Sequence, residues 1–162
     1  MWELEFHSHT RESQVNTDAN ADGIVDGRDV HRLNAEIGWR ESWWTAGGLN
    51  LGVESHLAFD VVNTAQDSTV TDANYTEVTP SVAANVRYPL QRTTAGGAQQ
   101  VLEPIVQLAW SGGTSRDGTT SNTIANDESS RTEFDEGNLL SLSRFASDDR
   151  RDRGASLAYG LN

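Results

Sequence analysis

The 162 residues carry 24 acidic against 12 basic side chains, a net charge of −12, and every basic one is an arginine. So acidic a chain repels nucleic acid phosphates and has no basic patch to offset that, which excludes a nucleic acid partner. It has no cysteine, which excludes disulfides, zinc–thiolate centres and a cysteine nucleophile.

Mean hydropathy is −0.57, and no run approaches the roughly 18 apolar residues that a membrane-spanning helix needs. This does not exclude a membrane, because barrel strands alternate apolar and polar residues and average out as polar. The opening Met1-Trp2-Glu3-Leu4 has neither the basic nor the apolar region of a signal peptide, so an export signal is expected elsewhere.

In chain order, Trp2, Leu4 and Phe6 alternate as a short strand, followed on the other parity by His7 and His9. Those two could bind a metal, but no carboxylate is spaced to join them, and the plain reading is surface or lumenal histidines. Residues 11–30 read as an acidic polar loop. Within it residues 18–29 match a twelve-residue calcium loop: Asp18, Asn20, Asp22, Asp26 and Asp29 offer oxygens at positions 1, 3, 5, 9 and 12, and Ile24 its backbone carbonyl at position 7. Gly23 stands at position 6, where the loop turns sharply. The expectation is a possible Ca2+ site, against a plain acidic loop. The stretch after the loop fits two spacings: Val30, Leu33 and Ile37 are helical, while Leu33, Ala35, Ile37 and Trp39 alternate as a strand.

Trp43 and Trp44 precede a tight turn at Thr45-Ala46-Gly47-Gly48. Leu49, Leu51, Val53, Ser55, Leu57, Phe59 and Val61 then share one parity, with Asn50, Gly52, Glu54, His56 and Asp60 on the other; an extended strand sends these sets to opposite faces. Residues 63–74 are polar. From Tyr75 to Leu90 the pattern repeats with Val78, Pro80, Val82, Ala84, Val86, Tyr88 and Leu90, and after a Gly-containing turn from Gln91 to Ala98 it returns with Leu102, Pro104, Val106, Leu108 and Trp110. Pro80, Pro89 and Pro104 each mark a bulge, an edge or weak pairing, since proline donates nothing to a ladder. Residues 111–152 form a long polar region. Its charge run from Asp148 to Arg153 reads as a solvated loop, with lumenal salt bridging or contact with lipid phosphates as the lesser reading. Leu157, Tyr159 and Leu161 close the chain as a strand.

The connections therefore alternate long, short, long, short, long. Outer-membrane barrels sort loops this way, with short periplasmic turns and longer extracellular loops, and the aromatic residues near strand ends suit a membrane interface. The expected fold is all-β: an antiparallel outer-membrane β-barrel segment over residues 1–162, an incomplete barrel in one curved open sheet. Leu51, Val53, Leu57, Val82, Val86, Val106 and Leu108 are expected on its convex, lipid-facing side. Glu54 and Glu103 fall on polar faces, where a lumen tolerates charge. No phosphate loop, serine-nucleophile elbow or paired-carboxylate site is visible, so no enzyme is expected.

Leu102-Glu103-Pro104-Ile105-Val106-Gln107, then Phe134 to Leu140 with Asn138 and Leu139, then Arg144-Phe145, Asp149-Arg150 and Arg153-Gly154 leading into Ala158-Tyr159-Gly160-Leu161, resemble in the same order the C-terminal barrel half of the lipopolysaccharide-assembly (LptD) family. Val86-Arg87-Tyr88-Pro89-Leu90 and Asp29-Val30 with Arg32-Leu33 extend the likeness upstream. The resemblance implies lipopolysaccharide transport in the outer membrane of a Gram-negative bacterium, with no required cofactor. It also implies a lipoprotein plug like LptE in the lumen and a periplasmic bridge that delivers lipopolysaccharide. The chain departs from the family in lacking the periplasmic jellyroll, the family's cysteines and enough strands to close a barrel, and so reads as a segment of one. The alternative is a soluble calcium-dependent β-sandwich, an adhesion or dockerin-like module. The two differ in where the apolar face points: outward into lipid for a barrel, inward between two sheets for a sandwich.

Overall fold

The computed structural model describes residues 1–12, 17, 21, 29–65, 74–113, 138, 140–143 and 151–162. All regular structure among them is β: β1 (Trp2–Arg11), β2 (Asp29–Trp44), β3 (Asn50–Ala65), β4 (Asn74–Arg87), β5 (Leu90–Thr93), β6 (Gln99–Leu102), β7 (Pro104–Ser111) and β8 (Gly154–Leu161). Six strands form one sheet in the order β1-β2-β3-β4-β7-β8, and β5 and β6 pair separately as a hairpin. Every pairing is antiparallel. The stretch after the acidic loop, ambiguous by spacing, is strand β2, in register with β3 from Asp29↔Ala65 to Trp44↔Asn50.

Two connections turn tightly at one end of the sheet, and they share a sequence. Thr45-Ala46-Gly47-Gly48 and Thr94-Ala95-Gly96-Gly97 each place their second glycine at φ +82°. In the first, Gly48 N–H donates to the Thr45 carbonyl (3.1 Å) and Thr45 N–H to the Leu49 carbonyl (2.8 Å); Gly97, Thr94 and Ala98 repeat this at 3.0 and 2.8 Å. This is the three-residue hairpin loop, in which a type I turn ends on a left-handed residue that glycine occupies without steric cost. The connections at the other end, 12–28, 66–73 and 112–153, are all longer.

The prolines explain where long runs divide. The stretch read from Tyr75 to Leu90 breaks into β4 and β5 at Tyr88-Pro89, and that from Leu102 to Trp110 into β6 and β7 at Glu103. Pro89 has no N–H to continue the ladder, so β5–β6 continues as a hairpin of its own, and the turn expected over Gln91 to Ala98 tightens to 94–98. The β4–β7 register ends at Ser81↔Ser111. Beyond it the Pro80 carbonyl accepts from Gly112 N–H (2.7 Å) with no donor to return the bond.

Cross-strand partners share a face, so the register carries one apolar face across the sheet. Leu4↔Ile37↔Leu57↔Pro80 and Trp43↔Leu51↔Val86↔Val106↔Tyr159 are two of its rows. Among the described residues Glu41, opposite Val53, and Ser55, opposite Trp39 and Val82, interrupt it toward the tight turns. The residues expected on a lipid-facing side, Leu51, Val53, Leu57, Val82, Val86, Val106 and Leu108, all lie on this face. At the long-connection end the apolar residues begin with the partners Leu33 and Val61, then Val78 on β4, Trp110 on β7 and Leu157 on β8, stepping toward the tight turns. Strands tilted across a membrane band need that stagger.

This apolar face is uncovered. Val82 is 43 % exposed, Leu108 62 % and Leu157 64 %. A sandwich would bury such a face against a second sheet; among the described residues the second sheet is only the exposed β5–β6 hairpin. The buried residues, Val30, Ala58, Val62, Ala83 and Ala109 with Asp60, Glu77, Thr79 and Gln107, belong instead to the opposite, polar face.

Candidate functional site

The polar face concentrates the chemistry. Asp60 and Glu77 are direct partners on β3 and β4 and both are buried. Like charges directly opposite in a sheet are destabilising, and burial raises the cost of each. Two arginines from residues 151–153, which lead into β8, offset it. Arg153 Nη2 lies 3.0 Å from Glu77 Oε1, while its Nη1 donates to Thr79 Oγ1 and to the Gly112 carbonyl (2.9 Å). Arg151 Nη1 donates to Glu36 Oε2 on β2 (2.8 Å), and its Nε stands 3.6 Å from Asp60 Oδ2, a charge contact longer than a hydrogen bond. Asn34 Nδ2 donates to the other oxygen of Asp60 (2.6 Å). Glu36 Oε1 is shared with His56 Nδ1 at 2.6 Å. The Arg153 guanidinium thus meets a carboxylate, a hydroxyl and a carbonyl at once, the multidentate geometry in which arginine excels, and Arg151 lies between two carboxylates.

A second tie lies nearby. Gln107 Nε2 on β7 donates to the Leu140 carbonyl (2.7 Å). Residues 140–143 and 151–152 therefore lie over the polar face, and a cavity of about 440 Å3 remains between them and the sheet, walled by Glu36, Glu54, His56, Thr79, Ser111 and Asp152 among others. Ala58, buried on its wall, leaves room for it; away from this cavity, on the same face, a Cβ at Gly52 would come within 2.6 Å of Asn85 Oδ1.

The residues singled out in the sequence are scattered. Of the calcium-loop set, Asp18, Asn20, Asp22, Ile24 and Asp26 lie outside the described residues; Asp29 opens β2, so a strand rather than an exiting helix follows the loop. His7 and His9 take polar-face positions opposite Asn34 and Arg32, and no group of three potential ligands forms among the described residues. Leu102 ends β6 and Pro104 opens β7. Glu103 between them exchanges backbone bonds with Asn162 (2.9 and 3.0 Å), its carboxylate 3.8 Å from Arg87. The Asn138 carbonyl accepts from Ser141 N–H (3.0 Å). Leu139, Arg144, Phe145, Asp149 and Arg150 lie outside the described residues. The solvated-loop reading fails for Arg151 and Arg153, whose side chains are largely enclosed against acids; the lesser reading, salt bridging, holds for both. The alternation already placed His56 and Asp60 on the polar face, but nothing local announces partners more than 70 residues away in sequence.

Among curated proteins the chain finds no match. The family model for LptD, LPS transport system D, matches residues 2–162, and the chain belongs to that family.

Proposed function

From membership of the LptD family, a family of outer-membrane transport barrels and not enzymes whose role is lipopolysaccharide transport and assembly in Gram-negative bacteria and which implies no cofactor, we propose a wall position for this chain. Its apolar face lies against lipid hydrocarbon and its polar face lines the lumen. The long connections 12–28, 66–73 and 112–153 stand at the extracellular end and the two Thr-Ala-Gly-Gly turns at the periplasmic end. A lipoprotein plug of the LptE kind rests in the lumen, and a periplasmic lipopolysaccharide bridge meets the tight-turn end. The acidic loop and the long polar region are parts of one segment spanning residues 1–162.

The observation that carries this reading is the division of one sheet into an exposed apolar face and a polar face whose buried acids Asp60 and Glu77 meet arginines. In water the first would be a large uncovered patch of the sort that marks an interaction or membrane surface. With β2 and β3 at 16 residues each, against about 9–11 for a tilted membrane strand, the strands also reach past the bilayer.

Arginine at Val82, on the apolar face, should cost about 2–4 kcal/mol of barrel stability if that position meets mid-membrane lipid. Arginine at Asn85, on the polar face of the same strand, should cost far less. Unfolding of the intact barrel in vesicles measures both; equal costs would refute the assignment of faces.

Calcium in the loop of residues 18–29 is a separate proposal, supported by ligand spacing alone and not needed for this role. Calorimetric titration of the chain with calcium checks it: the heat expected of a bound ion should be lost in Asp22→Ala, and no heat at millimolar calcium returns the stretch to a plain loop.

A further inference from the structure

Resting on the assignment of the polar face to the lumen, we infer that the tight-turn end of this face holds a saccharide-binding groove, built for an extended, hydroxyl-rich chain that bears anionic groups.

Three cross-strand rows of β2, β3 and β4 make the groove: Trp44↔Asn50↔Arg87, Ser42↔Gly52↔Asn85 and Arg40↔Glu54↔Ala83. They surround an open hollow of about 620 Å3 lined by Arg40, Ser42, Asn50, Glu54, Asn85 and Arg87 among others. Gly52 is buried in its middle. A Cβ there would come within 2.6 Å of Asn85 Oδ1, so the missing side chain leaves room for the amide.

These groups differ from the buried cluster farther along the same face. There, Arg153 commits its guanidinium to a carboxylate, a hydroxyl and a carbonyl. Here Arg40 stands 3.7 Å from Glu3 and Arg87 3.8 Å from Glu103, charge contacts longer than a hydrogen bond, and Arg40 Nη2 meets Met1 Sδ, a weak acceptor, at 3.8 Å. Among the described residues the side chains of Ser42, Asn50, Glu54 and Asn85 make no hydrogen bond. Donors and acceptors are thus positioned by strands and left to water, which a polar ligand can displace by reproducing its bonds.

The chemistry that matches is that of a sugar. Its neighbouring hydroxyls pair with planar amides, carboxylates and guanidiniums, and its C–H face stacks on an indole. Trp44 supplies the indole, 66 % exposed on the polar face, with an apolar ring and an N–H that seeks a partner. Arg40 and Arg87, two strands and four residues apart, are separated by roughly 16 Å between Cα positions at ordinary strand spacing. That suits an extended chain with spaced anionic groups better than one small anion. A protein footprint would centre on apolar anchors with charges depleted, whereas the centre here is Ser42, Gly52 and Asn85.

Calorimetric titration of the intact barrel in detergent micelles tests the groove with two probes, the delipidated, phosphate-bearing oligosaccharide of lipopolysaccharide and inorganic phosphate. Saturable heat is expected from the oligosaccharide and none from phosphate at the same concentration. Trp44→Ala should weaken binding on the order of tenfold, as should Arg40→Gln or Arg87→Gln, each removing a charged donor. Trp44→Phe, which keeps an aromatic face, should cost much less. Neither arginine is buried, so folding should not depend on them. No saturable heat from the oligosaccharide, equal binding of inorganic phosphate, or one affinity in all variants overturns the groove. So does loss of a bound lipoprotein plug in these variants with saccharide binding unchanged, since the surface is then a protein contact. The underlying assignment is tested separately through a cysteine placed in this cysteine-free chain. In vesicles, Val82→Cys should react with a lipid-soluble maleimide and not with a membrane-impermeant one. The reverse result would reject the faces themselves, whatever the groove binds.

Discussion

The two faces of this sheet solve opposite problems with the same backbone. On the apolar face, rows such as Leu4↔Ile37↔Leu57↔Pro80 have no cover within the described chain, and in the proposed wall position lipid would supply it. On the polar face, Asp60 and Glu77 are buried side by side and depend on groups brought from far along the chain. One face is stabilised by composition, the other by specific geometry. Substitutions on the first should therefore be judged by polarity alone, and on the second by who is left unpaired.

The largest contrast is expected at Glu77. Glu77→Ala leaves the Arg153 guanidinium buried without its carboxylate, and losing one partner of such a pair costs about 3–5 kcal/mol. Glu77→Ala with Arg153→Ala should cost less than the sum of the single changes. Denaturant unfolding of the four members of this cycle measures the coupling; strict additivity would mean that the polar face does not depend on this ion pair. Next in size is Val82→Arg, at about 2–4 kcal/mol, where no partner exists to lose and the cost is that of charge in lipid. Smallest is Gly52→Ala, about 1–3 kcal/mol, because the new methyl meets the Asn85 amide, the movable end of a side chain. Adding Asn85→Ala should return most of that loss in the same unfolding experiment, and a failure to do so would locate the constraint in the backbone instead.

Much of the fold was legible because period-two alternation is a local property: each residue's parity assigns its face. Leu51, Val53 and Leu57 could be grouped with Val82, Val86, Val106 and Leu108 before any pairing was known, and Thr45-Ala46-Gly47-Gly48 announced its turn. The repeat of that sequence at residues 94–97 carried the same information about the second hairpin. The breaks at Pro89 and Glu103 were less legible, since proline states that a donor is missing without stating which neighbour would have used it. The polar site was the least legible. A run such as Asp148 to Arg153 is ordinarily solvated, and only where the chain returns to the sheet do two of its arginines meet acids.

The sequence by itself determined most of the strands, though not β2, whose spacing also fitted a helix, together with the two-sidedness of the sheet and the sorting of connections by length, because these depend on residues two or a few positions apart. Tertiary structure decided that β4 pairs with β7 past the β5–β6 hairpin, that Asp60 and Glu77 stand opposite one another, and that Arg151 and Arg153 neutralise them. Those outcomes depend on register and on the return path of a long connection. An ion pair acts over a few ångströms in space and leaves no periodicity along the chain from which it could be read.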